Sequence, residues 1–476
     1  MSDEAGTTAR PRLRLLSPTQ VDAVHEASLH VLSEAGLRVD SERARDVYRR
    51  GGARVSGDRV YPSRELVDWA VENAPPSIDV FDRHGRKAFR LGPDETRFGT
   101  GVTNLWYQDP LSDAIVPFSR EHMARGVRLS EALVNYDVIS TLGVLRDLAP
   151  RVADLYAVLE MAANSTKPLV LLISEERLFV PALDLLEELR GELRAKPFVI
   201  PYLNPITPLV ANEGTTDKLL DSVARGIPVI YSNYGMAGMT TPISCAGALA
   251  FLNAELLAGL LLGQLARPGA PMILGSLPMF FDMKTMVDFY DPQTHLINLA
   301  CAEMMAHYRI PHAGTSGSGD GFGPDLIAAG AIWSNQLTSV VGRVGLCPFV
   351  GSSLNSKAFS PALTVYAHEA IGQARLFARG FAVDKRHLGA AEAVEQMAGE
   401  KHFLMSATTL ERYRHAYFDS LFPHIGLEKW EEQGRPKAEA IVRERARDLM
   451  ENAPPPDDHD DVLSRGEAFI ERLELE

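Results

Sequence analysis

"PVIYSNYGMAGMTTPISCAGALAFLNAELLAGLLLGQLARPGAPMILGSLP", residues 228–278, contains two strand-length apolar runs, 228–235 and 271–278, separated by an apolar stretch of helical length. A proline introduces each run, which suits the stop of one helix before the next strand begins. Strand, helix and strand in that order form a β-α-β unit, the building block of parallel sheets. The middle segment, Ala246 to Ala266, raises the question of a membrane span, but Asn253, Glu255 and Gln264 interrupt it. A helix buried inside a large protein accounts for it better.

The unit recurs on both sides. Strand-like runs begin at 96 ("TRFGTG"), 137 ("DVISTLG"), 168 ("PLVLLIS"), 197 ("PFVIPYLNP"), 228, 271, 310 ("IPHAGTS") and 346 ("LCPFVGSS"). A helical stretch follows each, with "PQTHLINLACAEMMAHY" and "PALTVYAHEAIGQARLFARG" the clearest. Eight such units are the arithmetic of an α/β fold of the (β/α)8 TIM barrel type, whereas a doubly wound sheet more often shows five or six. The barrel is expected over 96–387. An N-terminal α+β cap precedes it over 1–95, with helices at 17–35 and "RELVDWAVENAP" and hairpins around "ARVSGDRVYP" and "IDVFDRHGRKAFRLG". A helical segment follows over 388–450, then an acidic linker and terminal helix over 451–476.

Composition narrows the function. A hydrophobic share of 46% and a charged share of 23% describe a globular chain with an ample core. The 48 basic and 62 acidic residues give a net charge of −14, the wrong sign for nucleic acid or anionic membrane partners. Cys245, Cys301 and Cys347 lack C-x-x-C spacing, so neither a disulfide framework nor a zinc site is indicated. The N-terminus has no long apolar core, and a cytoplasmic location is expected.

In such barrels, active sites form at the C-terminal ends of the strands. The candidates are Phe98, Asn104, Trp106 and Tyr107 after the first run, Tyr202 and Asn204 after the fourth, and Asn233, Tyr234 and Met236 after the fifth. Phe280, Phe281 and Asp282 follow the sixth, Thr315, Ser316 and Asp320 the seventh, and Phe349, Ser352 and Ser353 the eighth. His312 lies on the seventh run itself. The set is rich in aromatic rings and neutral amides and poor in ionisable groups. It contains no H-E-x-x-H, no G-x-S-x-G elbow and no strand-end lysine. Asp320 and Ser316 are the candidates for catalytic groups, although loop aspartates more often make turns. Singly, each ring reads as barrel packing. Together, rings, Asn side chains and backbone carbonyls suit a quaternary ammonium ion, which each ring face stabilises by about 0.5 to 2 kcal/mol without an anion.

Residues 239–285, "MTTPISCAGALAFLNAELLAGLLLGQLARPGAPMILGSLPMFFDMKT", resemble the signature of the trimethylamine methyltransferase superfamily: G-x-x-x-P-x-x-x-A-G, then N-A-E-x-L-A-G, then Q-L-x-x-P-G-A-P. "YLNPITPL", the stretch from "LSPTQVDAVHEASLHVLSEAGLRVD" and the block "HFLMSATTLERYRHAYFDSLFPHIGLEKWEEQG" are similar to further parts of that family. The resemblance implies a TIM barrel that moves a methyl group from an amine to the cobalt of a separate corrinoid (cobalamin) protein. No cofactor would be bound within this chain, and a homo-oligomer is expected. Founding members carry pyrrolysine near the loop after the seventh strand. Members without it, which this chain resembles, include enzymes acting on quaternary amines such as glycine betaine, proline betaine and carnitine. A quaternary nitrogen leaves as a neutral amine, so the transfer needs no general acid, in keeping with a pocket poor in acids and bases. A substrate carboxylate would look to Asn204, Asn233, His312, Thr315, Ser316 and backbone N–H groups of the glycine loop.

The chain departs from the family in its seventh loop and at Ala407-Thr408, where a histidine-threonine pair is common. The seventh loop reads "TSGSGDGFGPD", and the D-x-H-x-x-G of a cobalamin module is not matched at Asp457, His459 and Val462, so the corrinoid is expected on another chain. The loop's glycines do not fit a nucleotide fingerprint and are expected to let backbone approach a ligand closely. Corrinoid-independent methyl transfer and a non-catalytic methylamine-binding protein are the alternatives.

Overall fold

The computed structural model describes residues 8–93, 95–315, 319–399 and 402–475. Seven of the eight expected runs form strands: Arg97–Thr100, Val138–Ser140, Leu169–Leu171, Val199–Leu203, Val229–Ala237, Met272–Asp282 and Leu346–Val350. Each pairs in parallel with its neighbour in the chain, and the last pairs with the first. The seventh run shrinks to two bridges, His312 with Leu274 and Ala313 with Leu346. They still close the cylinder, because Leu274 N donates to Pro311 O (3.0 Å), Ala313 N to Leu274 O (2.9 Å), Leu346 N to His312 O (2.8 Å) and Gly314 N to Leu346 O (2.9 Å). Two local features shorten this strand. Pro311 has no N–H to offer, and Ala313 O passes within 1.5 Å of where a Cβ would stand on Gly275, a contact only glycine permits. The fold is a (β/α)8 TIM barrel.

Strand alternation fills the interior. Val138, Val170, Ile200, Ile230, Ile273, Ala313 and Leu346 form one buried cluster, with Val102, Leu172, Tyr202, Leu277 and Phe349 packed on it. The hairpin Ile78–Phe81 with Lys87–Leu91 closes the barrel's N-terminal end. Its Ile78, Val80, Phe89 and Leu91 join the same cluster, and Phe81 N donates to Pro197 O just before the fourth strand.

The helices start where the sequence signals them. Ser17 caps Pro18–Glu34 and Asp291 caps Pro292–Tyr308, each with a reciprocal capping box and proline in the first turn. Helix Cys245–Ala266 has the length and apolarity to cross a membrane, yet 78% of its most apolar window is buried in protein. Its polar residues serve that interior. Asn253 Nδ2 donates to Ser28 Oγ (2.9 Å) and Tyr308 Oη (3.0 Å), and Gln264 Nε2 to Ala270 O (2.9 Å).

The terminal helix, His459–Leu475, packs against helix Pro150–Asn164. Arg83 grips Asp458 through two hydrogen bonds of 2.7 and 2.6 Å, and His459 Nδ1 lies 3.1 Å from Ala163 O. Asp458 and His459 therefore tie the tail to the barrel.

Candidate active site

The fifth and sixth strands outrun the others at nine and eleven residues, and they stay paired from Val229–Met272 to Ala237–Phe280. The sixth then folds back antiparallel onto Val287–Phe289. This raised wall stands at the C-terminal mouth of the barrel. Beneath it lies a cavity of about 150 Å³, smaller than the roughly 300 Å³ at which sites for drug-sized ligands begin. Tyr234 comes from the fifth strand, Leu277 and Met279 from the sixth, and Asp288 and Tyr290 from the returning hairpin. Val102 follows the first strand, Thr315 the seventh position, Phe349 lies on the eighth strand, and Asn355 and Ser356 follow it.

Parity explains which side chains enter. Ile230 and Tyr234 share a face, as do Ile273, Leu277 and Met279, and Ala313 and Thr315. The polar contacts then fix the walls. Tyr234 Oη donates to Asp288 Oδ2 at 2.5 Å, Thr315 Oγ1 bonds Tyr290 Oη at 3.1 Å, Thr315 N donates to Asn298 Oδ1 at 3.1 Å, and Asn355 Nδ2 donates to the Asp288 carbonyl at 3.1 Å. Tyr202 meets the Phe349 ring edge-on at 4.9 Å, and Asn204 Nδ2 donates to its hydroxyl at 3.2 Å.

One carboxylate, Asp288, stands in the cavity wall, and a second, Asp320, lies within electrostatic reach of Tyr290. Burial pushes Asp320 up to about 6. Burial, followed by the charges of Asp320 and Asp288, holds the Tyr290 phenol up at about 12. Tyr234 is likewise raised, first by burial and then by its bond to Asp288. The sequence predicts a pocket poor in acids and bases, and the cavity wall holds the carboxylate of Asp288.

Of the sequence candidates, Tyr234, Thr315 and Phe349 line the cavity, Tyr202 and Asn204 stand behind Phe349, and Asp320 is close to Tyr290. Several others are placed elsewhere. Phe98 faces the outer helices under the Arg375 guanidinium, because its parity on the first strand is outward. Asn233, one residue before Tyr234, also points outward, and its Nδ2 bonds Glu255 Oε2 (2.8 Å) and Leu252 O (2.9 Å). Asn104 is buried on Leu142 O (2.8 Å). Trp106 and Tyr107 belong to a small separate sheet with 115–117, 352–353 and 358–359, Trp106 under Arg146 and Tyr107 stacked on His122 at 4.0 Å. His312 is buried with Nδ1 on Val344 O, and burial lowers it to about 4, so it stays neutral. Phe281 pairs with Asp288 on the raised hairpin, half exposed. Asp282 caps its own turn through Lys284 N (2.8 Å) and Thr285 Oγ1 (2.9 Å). Ser316 lies outside the described residues.

Asp288, Tyr290 and Asn355 were not among the candidates. Their signal was the length of the sixth strand and the "VDFYDP" return after it, which a strand-end count cuts off. Asn355 sits in an unusual turn: Leu354, Asn355 and Ser356 have φ of +56°, +54° and +57°, the left-handed region. The glycine loop supports this turn. Leu354 N donates to Gly321 O (3.0 Å), Asn355 N to Gly319 O (2.8 Å), and Gly319 N to Ser352 O (3.3 Å).

Residues 4–476 match the model of the trimethylamine methyltransferase (MTTB) family. The chain belongs to this family and is a methyltransferase. It is 26% identical to the glycine betaine methyltransferase of Desulfitobacterium hafniense (strain Y51) over 474 residues, 97% of either chain. It is 24% identical to the trimethylamine methyltransferase MttB of Desulfitobacterium hafniense (strain DSM 10664 / DCB-2), covering 97% of this chain and 94% of that one. Among solved structures, the monomethylamine methyltransferase MtmB of Methanosarcina barkeri superposes with a TM-score of 0.48 at 10% identity, covering 92% of this chain and 93% of that one.

Proposed function

We propose that the protein takes a methyl group from a small quaternary ammonium compound, betaine-like in its methylated head group, and passes it to the cobalt of a corrinoid carried by a separate cytoplasmic protein. The observation that supports this most is the cavity walled by Tyr234, Tyr290 and Phe349 at the barrel mouth. Ring faces attract a methylated cation that has no N–H to donate.

The C–N bond breaks as the acceptor's electron pair closes on the methyl carbon, and nitrogen keeps its own pair and departs as a neutral tertiary amine. No proton moves, so no general acid is needed. The corrinoid supplies the nucleophilic metal. The chain's own residues bind and orient the head group, and the hairpin at 287–289 and the turn at 354–356 keep water from it. Val462 stands where a D-x-H-x-x-G cobalamin motif needs glycine, and His459 is committed to Ala163 O, which supports placing the corrinoid on another chain.

Purified protein mixed with reduced cobalamin and a panel of quaternary amines should develop the methylcobalamin absorption spectrum. Methylation from trimethylamine but from no quaternary amine overturns the proposal. Turnover without cobalt points to the corrinoid-independent reading, and ligand affinity without transfer to a binding protein.

A further inference from the structure

We infer that the substrate is a methylated ammonium ion with net positive charge and no carboxylate of its own, and that Asp288 and Asp320 enforce this choice. The inference rests on the proposed quaternary amine site and names the class of compound admitted there.

The argument is one of charge balance. Asp288 lines the cavity and Asp320 lies near enough to raise the Tyr290 phenol. No lysine, arginine or histidine lines it among the described residues. His312, the nearest imidazole on the seventh strand position, is buried with its Nδ1 on Val344 O. A substrate carboxylate would therefore find two anions and no cation.

Neutral donors would have to replace a cation, and several of those at the walls are already engaged. Tyr234 Oη serves Asp288, Asn355 Nδ2 serves the Asp288 carbonyl, and Thr315 N serves Asn298. Among the described residues of the glycine loop, Gly319 N is bonded to Ser352 O and Phe322 N to Asp325 Oδ2 (2.8 Å). A trimethylammonium head, by contrast, meets rings on several sides and carboxylates beyond them. Like charges brought together at a site penalise the wrong ligand strongly.

Choline and glycine betaine share the head group and differ at the other end, a hydroxymethyl group against a carboxylate, so they isolate the charge effect. Titration calorimetry on the full chain is expected to show choline and tetramethylammonium binding roughly 100-fold more tightly than glycine betaine, equivalent to about 2.7 kcal/mol. Asp288→Asn and, independently, Asp320→Asn should each narrow the gap by weakening choline and strengthening glycine betaine. Equal or tighter binding of glycine betaine by the wild-type chain overturns the inference and leaves the quaternary amine reading standing. If none of the three binds, that reading falls and the inference with it.

Discussion

Replacing Glu255 should expose how much of the site's geometry hangs on one buried carboxyl. Glu255 lies on helix Cys245–Ala266 and is 1% exposed. It accepts Thr207 Oγ1 (2.8 Å), Leu209 N (2.5 Å) and Asn233 Nδ2 (2.8 Å), so it joins the loop after the fourth strand to the fifth strand. Burial raises its pKa above the ordinary carboxyl range, and the three hydrogen bonds oppose that shift. Glu255→Ala leaves Thr207 Oγ1 and Leu209 N without this acceptor and removes one of the two bonds of Asn233 Nδ2. At about 1 to 3 kcal/mol for each unsatisfied group, and with Asn233 Nδ2 keeping its bond to Leu252 O, the expected loss is about 3 to 5 kcal/mol. Glu255→Gln keeps one acceptor oxygen and turns the other position into a donor, for a loss of about 1 to 3 kcal/mol. Asn233 is the neighbour of Tyr234, so choline affinity should fall in the Ala variant as well. Equilibrium urea unfolding of the three proteins, followed by tryptophan fluorescence, checks the order. An Ala variant within about 1 kcal/mol of wild type, or a Gln variant as unstable as Ala, refutes the reasoning.

Gly319→Ala should cost about 2 kcal/mol or more, because φ is +118° and the new Cβ would meet Ser356 Oγ at 2.7 Å and Ser356 N at 2.9 Å; thermal unfolding and ligand affinity should both suffer. Tyr290→Leu removes one ring face and should weaken tetramethylammonium binding by about 0.5 to 2 kcal/mol, whereas Tyr290→Phe keeps the ring and most of the affinity, as calorimetry can show. Cation affinity should fall as pH drops through about 6, where Asp320 takes up a proton and loses its attraction for the ligand. The flanking Tyr290 and Tyr234 stay protonated there, and Asp320→Asn should flatten this part of the pH profile. Arg83→Ala unfastens the terminal helix from the barrel by removing the pair to Asp458. It should lower the thermal midpoint while leaving choline affinity unchanged, and a parallel loss of affinity would contradict the separation of tail and site.

Much of the fold was legible because its signals are local. Proline or glycine precedes six of the eight runs, and the capping boxes at Ser17 and Asp291 mark helix starts. The seventh run was read as a strand of full length, but its pairing depends on Pro311 and on Gly275 of a neighbouring strand, a contact no local pattern announces. The site was less legible, for two physical reasons. A strand end offers residues of both parities, and Phe98 and Asn233 look as suitable as Tyr234 until the barrel fixes which face is inward. The carboxylate Asp288 arrives from a hairpin that exists only because the fifth and sixth strands continue past the rim together. Charge inside the cavity is thus a property of tertiary structure, and composition at the strand ends did not carry it.

The glycine loop acquires a role from the same geometry. A run of left-handed residues at 354–356 costs about 1 to 2 kcal/mol for each residue, more than a surface turn would sustain without a reason. Its conformation places Asn355 over the Asp288 carbonyl, and backbone bonds to Gly319 and Gly321 support it. Both glycines have positive φ, +118° and +87°, and a side chain on Gly319 would strike the turn it supports. Gly319 and Gly321 thus use backbone groups on the protein itself. The strain stored at 354–356, the spacing of the glycines and the negative charge of the cavity are consequences of one arrangement, in which two loops lock together to hold Asp288 against a cationic guest.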